Sequence, residues 1–175
     1  MKKKKIVFYI SSLAKAGAQR VILNLTESLL EKGHRVTIVT TSVVENEYEL
    51  PKGAGRIISD IQGEEITSNR ITNLTNRFSK LRGIWKSEQP DVIISFIGKN
   101  NFMAILTAWG LKIPVLVSVR GEPMEEYYSG LLRFLAKYLF RKADGIILQT
   151  EDSKAFFPKK TVEKAVVLPN PLNPS

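Results

Sequence analysis

Short runs of apolar, β-branched residues alternate along this chain with longer stretches in which apolar residues recur every three or four positions. Runs of the first kind are typical of strands that are covered on both faces, because such strands have no polar side to expose. They predict strands at residues 5–10, 35–41, 56–61, 91–96, 115–119, 145–149 and 165–168.

The longer stretches predict helices, since their apolar positions fall on one helical face. In the first of them, Val21, Leu25 and Leu29 recur at helical spacing, and Gly33 follows as a C-terminal stop. The predicted helices are residues 19–32, 73–88, 101–110, 124–142 and 152–157. Repeated strand–helix–strand units of this kind predict an α/β fold, a doubly wound and mainly parallel sheet flanked by helices.

Composition is ordinary for one globular domain, with 175 residues, 43% of them hydrophobic and 25% charged. This excludes a disordered or fibrous protein. Cysteine is absent and His34 is the single histidine, which excludes disulfides, thiolate zinc sites and thiol nucleophiles. We therefore expect no metal site, and any chemistry must come from carboxylates, basic groups, hydroxyls and backbone amides.

The net charge is +9, from 26 lysines and arginines against 17 acidic residues. A charge of this size favours nucleic acid, anionic lipid or phosphorylated small molecules as partners. The net charge alone does not distinguish among these three classes of partner.

The N-terminus superficially copies a secretory signal, because lysines at residues 2–5 precede the apolar residues 6–10. The apolar stretch is short, however, and Ser11 and Ser12 end it. We interpret it as the first buried strand, which predicts a cytoplasmic protein.

The loop after this strand is rich in small residues, among them Ala16, Gly17 and Ala18. In a doubly wound sheet, ligands bind beyond the carboxyl ends of the strands, and a helix N-terminus there favours an anion. The alternative is a tight turn that only packs the helix on the sheet. With Gly17 as its single glycine, the loop is neither a dinucleotide-binding fingerprint nor a P-loop.

Other polar residues follow the later strands. Lys99 and Asn100 come after the fourth strand, Arg120 and Glu122 after the fifth, and Glu151 after the sixth. Arginine can grip a phosphate with its forked guanidinium, lysine adds a point charge, and a carboxylate can orient a sugar hydroxyl or act as a base. The structural alternatives are an ion pair between Arg120 and Glu122 and helix capping by the others.

Arg133, Lys137 and Arg141 recur every four residues beside an apolar helical face. This basic stripe is either a solvated surface or a contact with an anionic membrane, which would make the protein peripheral on the inner face of that membrane.

Four segments together resemble the N-terminal domain of a family-four retaining glycosyltransferase of the two-domain GT-B architecture. They span nearly the whole chain. The segments are residues 6–40 with Ala16-Gly17-Ala18-Gln19-Arg20, residues 90–96, residues 112–123 with Arg120-Gly121-Glu122-Pro123, and residues 143–151 followed by Pro169-Asn170-Pro171. The last two are most similar to members that extend lipid-linked or capsular oligosaccharides, often with N-acetylhexosamines.

The resemblance implies roles for the candidate residues. Ala16, Gly17 and Ala18 would lie near the donor diphosphate, and Arg120 and Glu122 stand where many members have a His-Asp pair beside the transferred sugar. Lys99, Asn100 and Glu151 would face the acceptor. The implied partners are a nucleotide-sugar, a UDP-sugar in many members, used as substrate rather than cofactor, and a glycan or polyprenyl-linked acceptor.

The resemblance also implies a division of the chain. Residues 1–168 would be the Rossmann-like acceptor-side domain, and the proline-rich residues 169–175 would begin an interdomain linker. The donor-binding C-terminal domain is absent from this sequence, so we expect the 175-residue piece to fold but to transfer no sugar alone.

Two other classes of function stay open. One is a non-enzymatic, membrane-docked subunit that presents the acceptor to a separate catalytic protein. The other is a basic α/β domain that binds nucleic acid, which we do not expect because the cations are spread over many elements.

Overall fold

A single parallel sheet runs through the part of the chain that the computed structural model describes, residues 2–60 and 66–169. Its strand order is β3-β2-β1-β4-β5-β6-β7. The strands are Lys5–Ile10 (β1), Arg35–Thr40 (β2), Gly55–Ile58 (β3), Val92–Phe96 (β4), Val115–Ser118 (β5), Gly145–Leu148 (β6) and Ala165–Val167 (β7). The predicted doubly wound fold is confirmed. Residue 61, predicted to end the third strand, lies outside the described residues.

β1 is an interior strand of the sheet, with a neighbouring strand paired to each of its edges. Its residue Phe8 is in register with Ile38 of β2 on one side and with Ile94 of β4 on the other. Every residue of β1 after Lys5 is buried. A continuous apolar run is therefore the pattern that this position requires.

The described helices are Gly17–Glu31 (α1), Arg70–Glu88 (α2), Lys99–Ala108 (α3), Pro123–Glu126 (α4), Gly130–Leu139 (α5) and Lys159–Val162 (α6). Two further segments, Phe140–Lys142 and Asp152–Phe156, are short 3-10 turns. The first three helices match the predictions to within a few residues at each end. α6 was not predicted.

The prediction of one helix over residues 124–142 is wrong. The chain leaves the helical path after Glu126 because Tyr127 turns its ring into the core and is fully buried. Ser129 then starts α5, its hydroxyl accepting the Leu132 N–H at 3.2 Å. The Arg133 guanidinium donates to the carbonyls of Tyr127 and Tyr128 at 3.1 and 3.2 Å, which stabilises the break.

Apolar clusters cover the two faces of the sheet. The larger lies under α2, α3 and α5 and is centred on residues such as Trp85, Tyr127 and Phe140. The smaller lies under α1 and includes Phe8 and Ile22. The helices therefore flank the sheet on both sides, as the alternating pattern predicted.

Within residues 2–60 and 66–169, no helix has the length and apolar character needed to cross a bilayer. Of the predicted linker over residues 169–175, all but Pro169 lies outside the described residues.

Candidate active site at the carboxyl edge of the sheet

The direction of winding reverses between β1 and β4, which are neighbours in the sheet although two strands separate them in sequence. The loops that leave the carboxyl ends of β1 and β4 therefore run to opposite faces. Between them they open the crevice in which doubly wound proteins bind ligands.

A cleft of about 510 Å³ lies at this crevice. Ala16, Gly17 and Ala18 line one side, and Arg120 and Glu122 line the other. Residues that are about one hundred positions apart in sequence thus meet at the point where the topology predicts a ligand. The structure brings together the predicted donor-phosphate and catalytic residues.

The N-terminus of α1 opens into the cleft without a side-chain cap. Ala16 holds the N-cap position in an extended conformation, with φ −144° and ψ 171°, and its side chain forms no capping hydrogen bond. Alanine tolerates this backbone as well as glycine does. The first N–H groups of α1 carry the positive end of the helix dipole, so this wall of the cleft suits an anion.

The short loop after β4 is strained. Ile97 has a φ of 70° and Gly98 a φ of 53°. A β-branched residue in the left-handed region costs about 1–3 kcal/mol, which the surrounding contacts must offset. Ile97 donates its N–H to the Ser118 carbonyl at 3.1 Å and lines the cleft.

The Glu126 carboxylate ties this strained loop to the loop after β5. Its Oε1 accepts the Gly98 N–H at 2.7 Å, and its Oε2 accepts the Arg120 N–H at 3.2 Å. Hydrogen bonds to an ionised carboxylate are stronger than neutral ones. Glu126 therefore sets the separation of the two loops that form the floor of the cleft.

Arg120 is the half-buried cation of the cleft. Partial burial lowers the pKa of its guanidinium from the ordinary value, and the negative charge of Glu126 opposes that shift. The group stays protonated at neutral pH, since arginine is not deprotonated in proteins. Glu122, in contrast, is exposed at the rim.

Tyr127 supports the cleft from behind. Its hydroxyl accepts a hydrogen bond from Asn101 Nδ2 at 3.2 Å, and the same nitrogen donates to the Ser118 carbonyl at 3.1 Å. Burial raises the pKa of the Tyr127 hydroxyl far above its ordinary range, and the neighbouring charge of Glu126 adds to the shift. The hydroxyl is therefore a neutral structural group at physiological pH.

Lys99 and Asn100 line a second cavity rather than the cleft. This cavity, of about 350 Å³, lies above β1 on the side of α2 and α3, where Tyr9, Asp60 and Arg77 also line it. Asn100 donates its side-chain N–H to the Phe96 carbonyl at 3.1 Å. The structure thus separates these two predicted acceptor residues from Arg120 and Glu122.

Glu151 lies outside both cavities. It is exposed and pairs with Lys154 at 2.7 Å. Gln149, two residues earlier, lines the cleft instead. Thr150 Oγ1 accepts the Ser153 N–H at 3.3 Å, whereas Glu151, at the start of the 3-10 turn, forms no side-chain capping bond.

The three residues of the predicted basic stripe have different surroundings. The Arg133 guanidinium is occupied by backbone carbonyls. The Lys137 Nζ lies 5.1 Å from the centre of the Phe156 ring, and Arg141 is exposed.

Glu126, Tyr127 and Asn101 are the site residues that the sequence interpretation missed. Glu125 and Glu126 are adjacent acids after Pro123, and nothing in the pattern distinguishes them. The difference arises only when the loops after β4 and β5 come together over Glu126. Pro123, which begins α4, was the available signal of a separate short helix.

Comparison with known proteins supports a specific family. The sequence pattern of the family described as "Glycosyl transferase 4-like domain" matches residues 16–171. The chain is 27% identical over 169 residues to a Campylobacter jejuni protein named as an α-1,4-N-acetyl-D-galactosaminyltransferase that acts on a diNAcBac-PP-undecaprenol-linked glycan. The match covers 95% of this chain and 46% of that relative, so the chain spans about half the length of the curated relative it matches.

Solved structures share the fold. Anabaena HepE, crystallised with UDP-glucose, superimposes with a TM-score of 0.74 at 15% identity, over 97% of this chain and 44% of that one. Acinetobacter baumannii MurG superimposes with a TM-score of 0.65 at 17% identity, over 95% of this chain and 46% of that one. At such identities the likeness establishes the architecture alone.

Proposed function

The chain belongs to the family of glycosyl transferase 4-like domains, and from that premise we propose that it is the N-terminal, acceptor-side half of a glycosyltransferase. The whole enzyme would move a sugar from a UDP-sugar to a glycan carried on a polyprenyl diphosphate. The Campylobacter relative is named for an undecaprenol-linked acceptor, and HepE was crystallised with UDP-glucose. Both names favour these substrate classes.

One observation carries the proposal, the meeting of the α1 N-terminus with Arg120 in a single cleft. Transfer from a nucleotide-sugar breaks the bond between the anomeric carbon and a diphosphate oxygen. The acceptor hydroxyl oxygen bonds to that carbon and gives up its proton, which the leaving diphosphate oxygen can take. Negative charge grows on the diphosphate as the bond breaks. Helix N–H groups and a half-buried arginine are suited to stabilise that charge.

We assign Ala16, Gly17 and Ala18 to the diphosphate through their backbone, and Arg120 to the same charge through its side chain. The exposed Glu122 at the rim orients a hydroxyl of the sugar. Glu126 acts through the loops and not on the substrate, so it is a positioning residue.

The second cavity supports a place for the acceptor. It combines the cation of Lys99 with the polar groups of Asn100 and Tyr9 at the same edge of the sheet. We propose that it receives acceptor sugars or the phosphates of the carrier. Glu151 contacts the acceptor only if a longer glycan reaches past the cleft rim, because it lines neither cavity.

The test uses the complete product of the natural gene. It is incubated with labelled UDP-N-acetylhexosamines and UDP-glucose in the presence of undecaprenyl-diphosphate-linked glycans, and transfer and UDP release are measured together. We expect transfer from one donor, and we expect Arg120→Gln to lower kcat/KM by about a hundredfold, the usual loss when one charge-stabilising donor is removed. Arg35→Gln is the matched control, since Arg35 is exposed at the amino edge of the sheet.

Two results would overturn the proposal. Folded gene product that transfers from no UDP-sugar but binds the lipid-linked glycan would be the acceptor-presenting subunit. Equal kcat/KM in the Arg120 and Arg35 variants would show that the cleft takes no part in the reaction.

A further inference from the structure

Large apolar side chains lie exposed on and beside α5. Tyr128 is 68% exposed, Leu131 68%, Phe134 65% and Tyr138 51%. We call these four residues the α5 surface. Leu131, Phe134 and Tyr138 are three and seven positions apart on α5, so they share one face of the helix.

The α5 surface is distinct from the core face of the same helix. Ala136 and Leu139 are the buried positions of α5 and join the larger apolar cluster. On the outer face, the rings of Phe134 and Tyr138 are nearly parallel, with centroids 6.3 Å apart. Both side chains remain more than half exposed despite this contact, so they are not part of the core.

The charges along α5 and the turn that follows it are all positive. Residues 130–142 contain two lysines and two arginines and no acidic residue. Arg133 is bound to backbone carbonyls, whereas the side chains of Lys137, Arg141 and Lys142 are exposed. The ammonium groups of Lys137 and Lys142 lie over the rings of Phe156 and Trp109, and both side chains remain open to solvent. Since Lys137 and Arg141 lie three residues after Phe134 and Tyr138, they border the aromatic pair on the helix surface.

From these observations we propose that the α5 surface docks the protein on an anionic bilayer, with its aromatic and leucine side chains in the interfacial region and Lys137 and Arg141 among the lipid headgroups. A short helix whose exposed apolar face is bordered by cations is an arrangement that binds at a membrane interface. Each cation adds attraction to anionic lipid.

This surface differs from the basic stripe that the sequence predicts. Arg133 belongs to the internal structure of the break between α4 and α5. Leu131 and Tyr138, whose side chains are exposed, are contact residues as well. The membrane contact is therefore mainly apolar, with the cations as its border.

The α5 surface is also close in sequence to a residue of the cleft. Only Tyr127, Tyr128 and Ser129 separate α5 from α4, which carries the cleft residue Glu126. Docking would hold the protein at the surface in which a polyprenyl diphosphate is anchored. That consequence rests on the proposed function, whereas docking itself does not.

The test is sedimentation of the intact gene product with vesicles, without any sugar donor, so its outcome is independent of transfer activity. Vesicles contain phosphatidylcholine alone or phosphatidylcholine with one third phosphatidylglycerol. We expect binding to the anionic vesicles, and we expect Leu131→Ser with Phe134→Ser to weaken it by at least about tenfold. The matched control is Val43→Ser with Ile71→Ser, at positions that are 63% and 76% exposed elsewhere.

The charge contribution is tested separately. Lys137→Gln with Arg141→Gln should weaken binding by about twentyfold, and added salt should reduce the difference. Lys52→Gln with Lys86→Gln removes two exposed lysines away from α5 and should have a smaller effect.

Three results would overturn the proposal. They are the absence of sedimentation with anionic vesicles, equal binding by the α5 and control variants, and concentration-dependent self-association that Phe134→Ser abolishes while vesicle binding is unchanged. The last would assign the α5 surface to a protein partner.

Discussion

Tyr127 and Tyr128 are neighbours in sequence, but their side chains differ completely in burial. Tyr127 is fully buried, whereas Tyr128 is 68% exposed. The chain turns between α4 and α5 at these residues, and one ring enters the core while the other joins the α5 surface. Two residues of the same type therefore serve different regions, the support of the cleft and the surface that we propose to dock on a membrane.

The difference comes from long-range partners. The Tyr127 ring lies 5.3 Å from Phe102 and 5.7 Å from Phe140, measured between centroids, and its hydroxyl reaches Asn101. Among residues 2–60 and 66–169, no ring of another residue is recorded against the Tyr128 ring, and it is the Tyr128 carbonyl that accepts a hydrogen bond from Arg133. Burial of a tyrosine thus depends on whether the topology supplies both aromatic neighbours and a donor for its oxygen.

The largest expected effect separates the two tyrosines directly. Tyr127→Ala leaves a cavity in the aromatic cluster and should lower the free energy of unfolding by about 3–5 kcal/mol. Tyr128→Ala should change it by less than about 0.5 kcal/mol, because the ring is mostly in solvent. Urea denaturation of both variants measures this. Equal losses would mean that the break between α4 and α5 is misplaced.

A smaller effect is expected at the carboxylate that joins the loops. Glu126→Gln keeps the shape but loses the charge that the Gly98 and Arg120 N–H groups bond to, and should cost about 1–2 kcal/mol. In the intact enzyme it should lower kcat more than it raises KM, since the loops and not the substrate contacts change. Glu163→Gln, at an exposed position that lines neither the cleft nor the second cavity, is the control. A loss of the same size in both variants would contradict the positioning role.

The smallest effect belongs to the exposed helix face. Leu131→Ser with Phe134→Ser should leave the free energy of unfolding within about 0.5 kcal/mol of the original value, apart from a small loss of helix propensity. Urea denaturation again provides the measurement. A loss of several kcal/mol would show that these side chains are part of the core. They could then not form an exposed docking surface.

Much of the fold was predictable because it depends on local pattern. Strand β1 was predicted with its observed bounds, Lys5–Ile10, since a strand paired on both edges and covered on both faces is apolar throughout. The loop at Gly17 and the residue Arg120 were also predictable as cleft residues, because both follow strands at the carboxyl edge. The prediction failed over residues 124–142, where helical spacing continues through a break that capping by Ser129 and burial of Tyr127 impose.

The sequence by itself therefore determined the alternation of strands and helices, the parallel sheet that follows from it, and the edge at which the cleft opens. These depend on the period of apolar residues and on the right-handed winding of strand–helix–strand units. Only the tertiary structure separated Lys99 from Arg120, chose Glu126 over Glu125, and exposed the aromatic face of α5. Those outcomes depend on which loops and rings come into contact in the folded protein. The spacing of apolar residues along the chain does not encode such contacts.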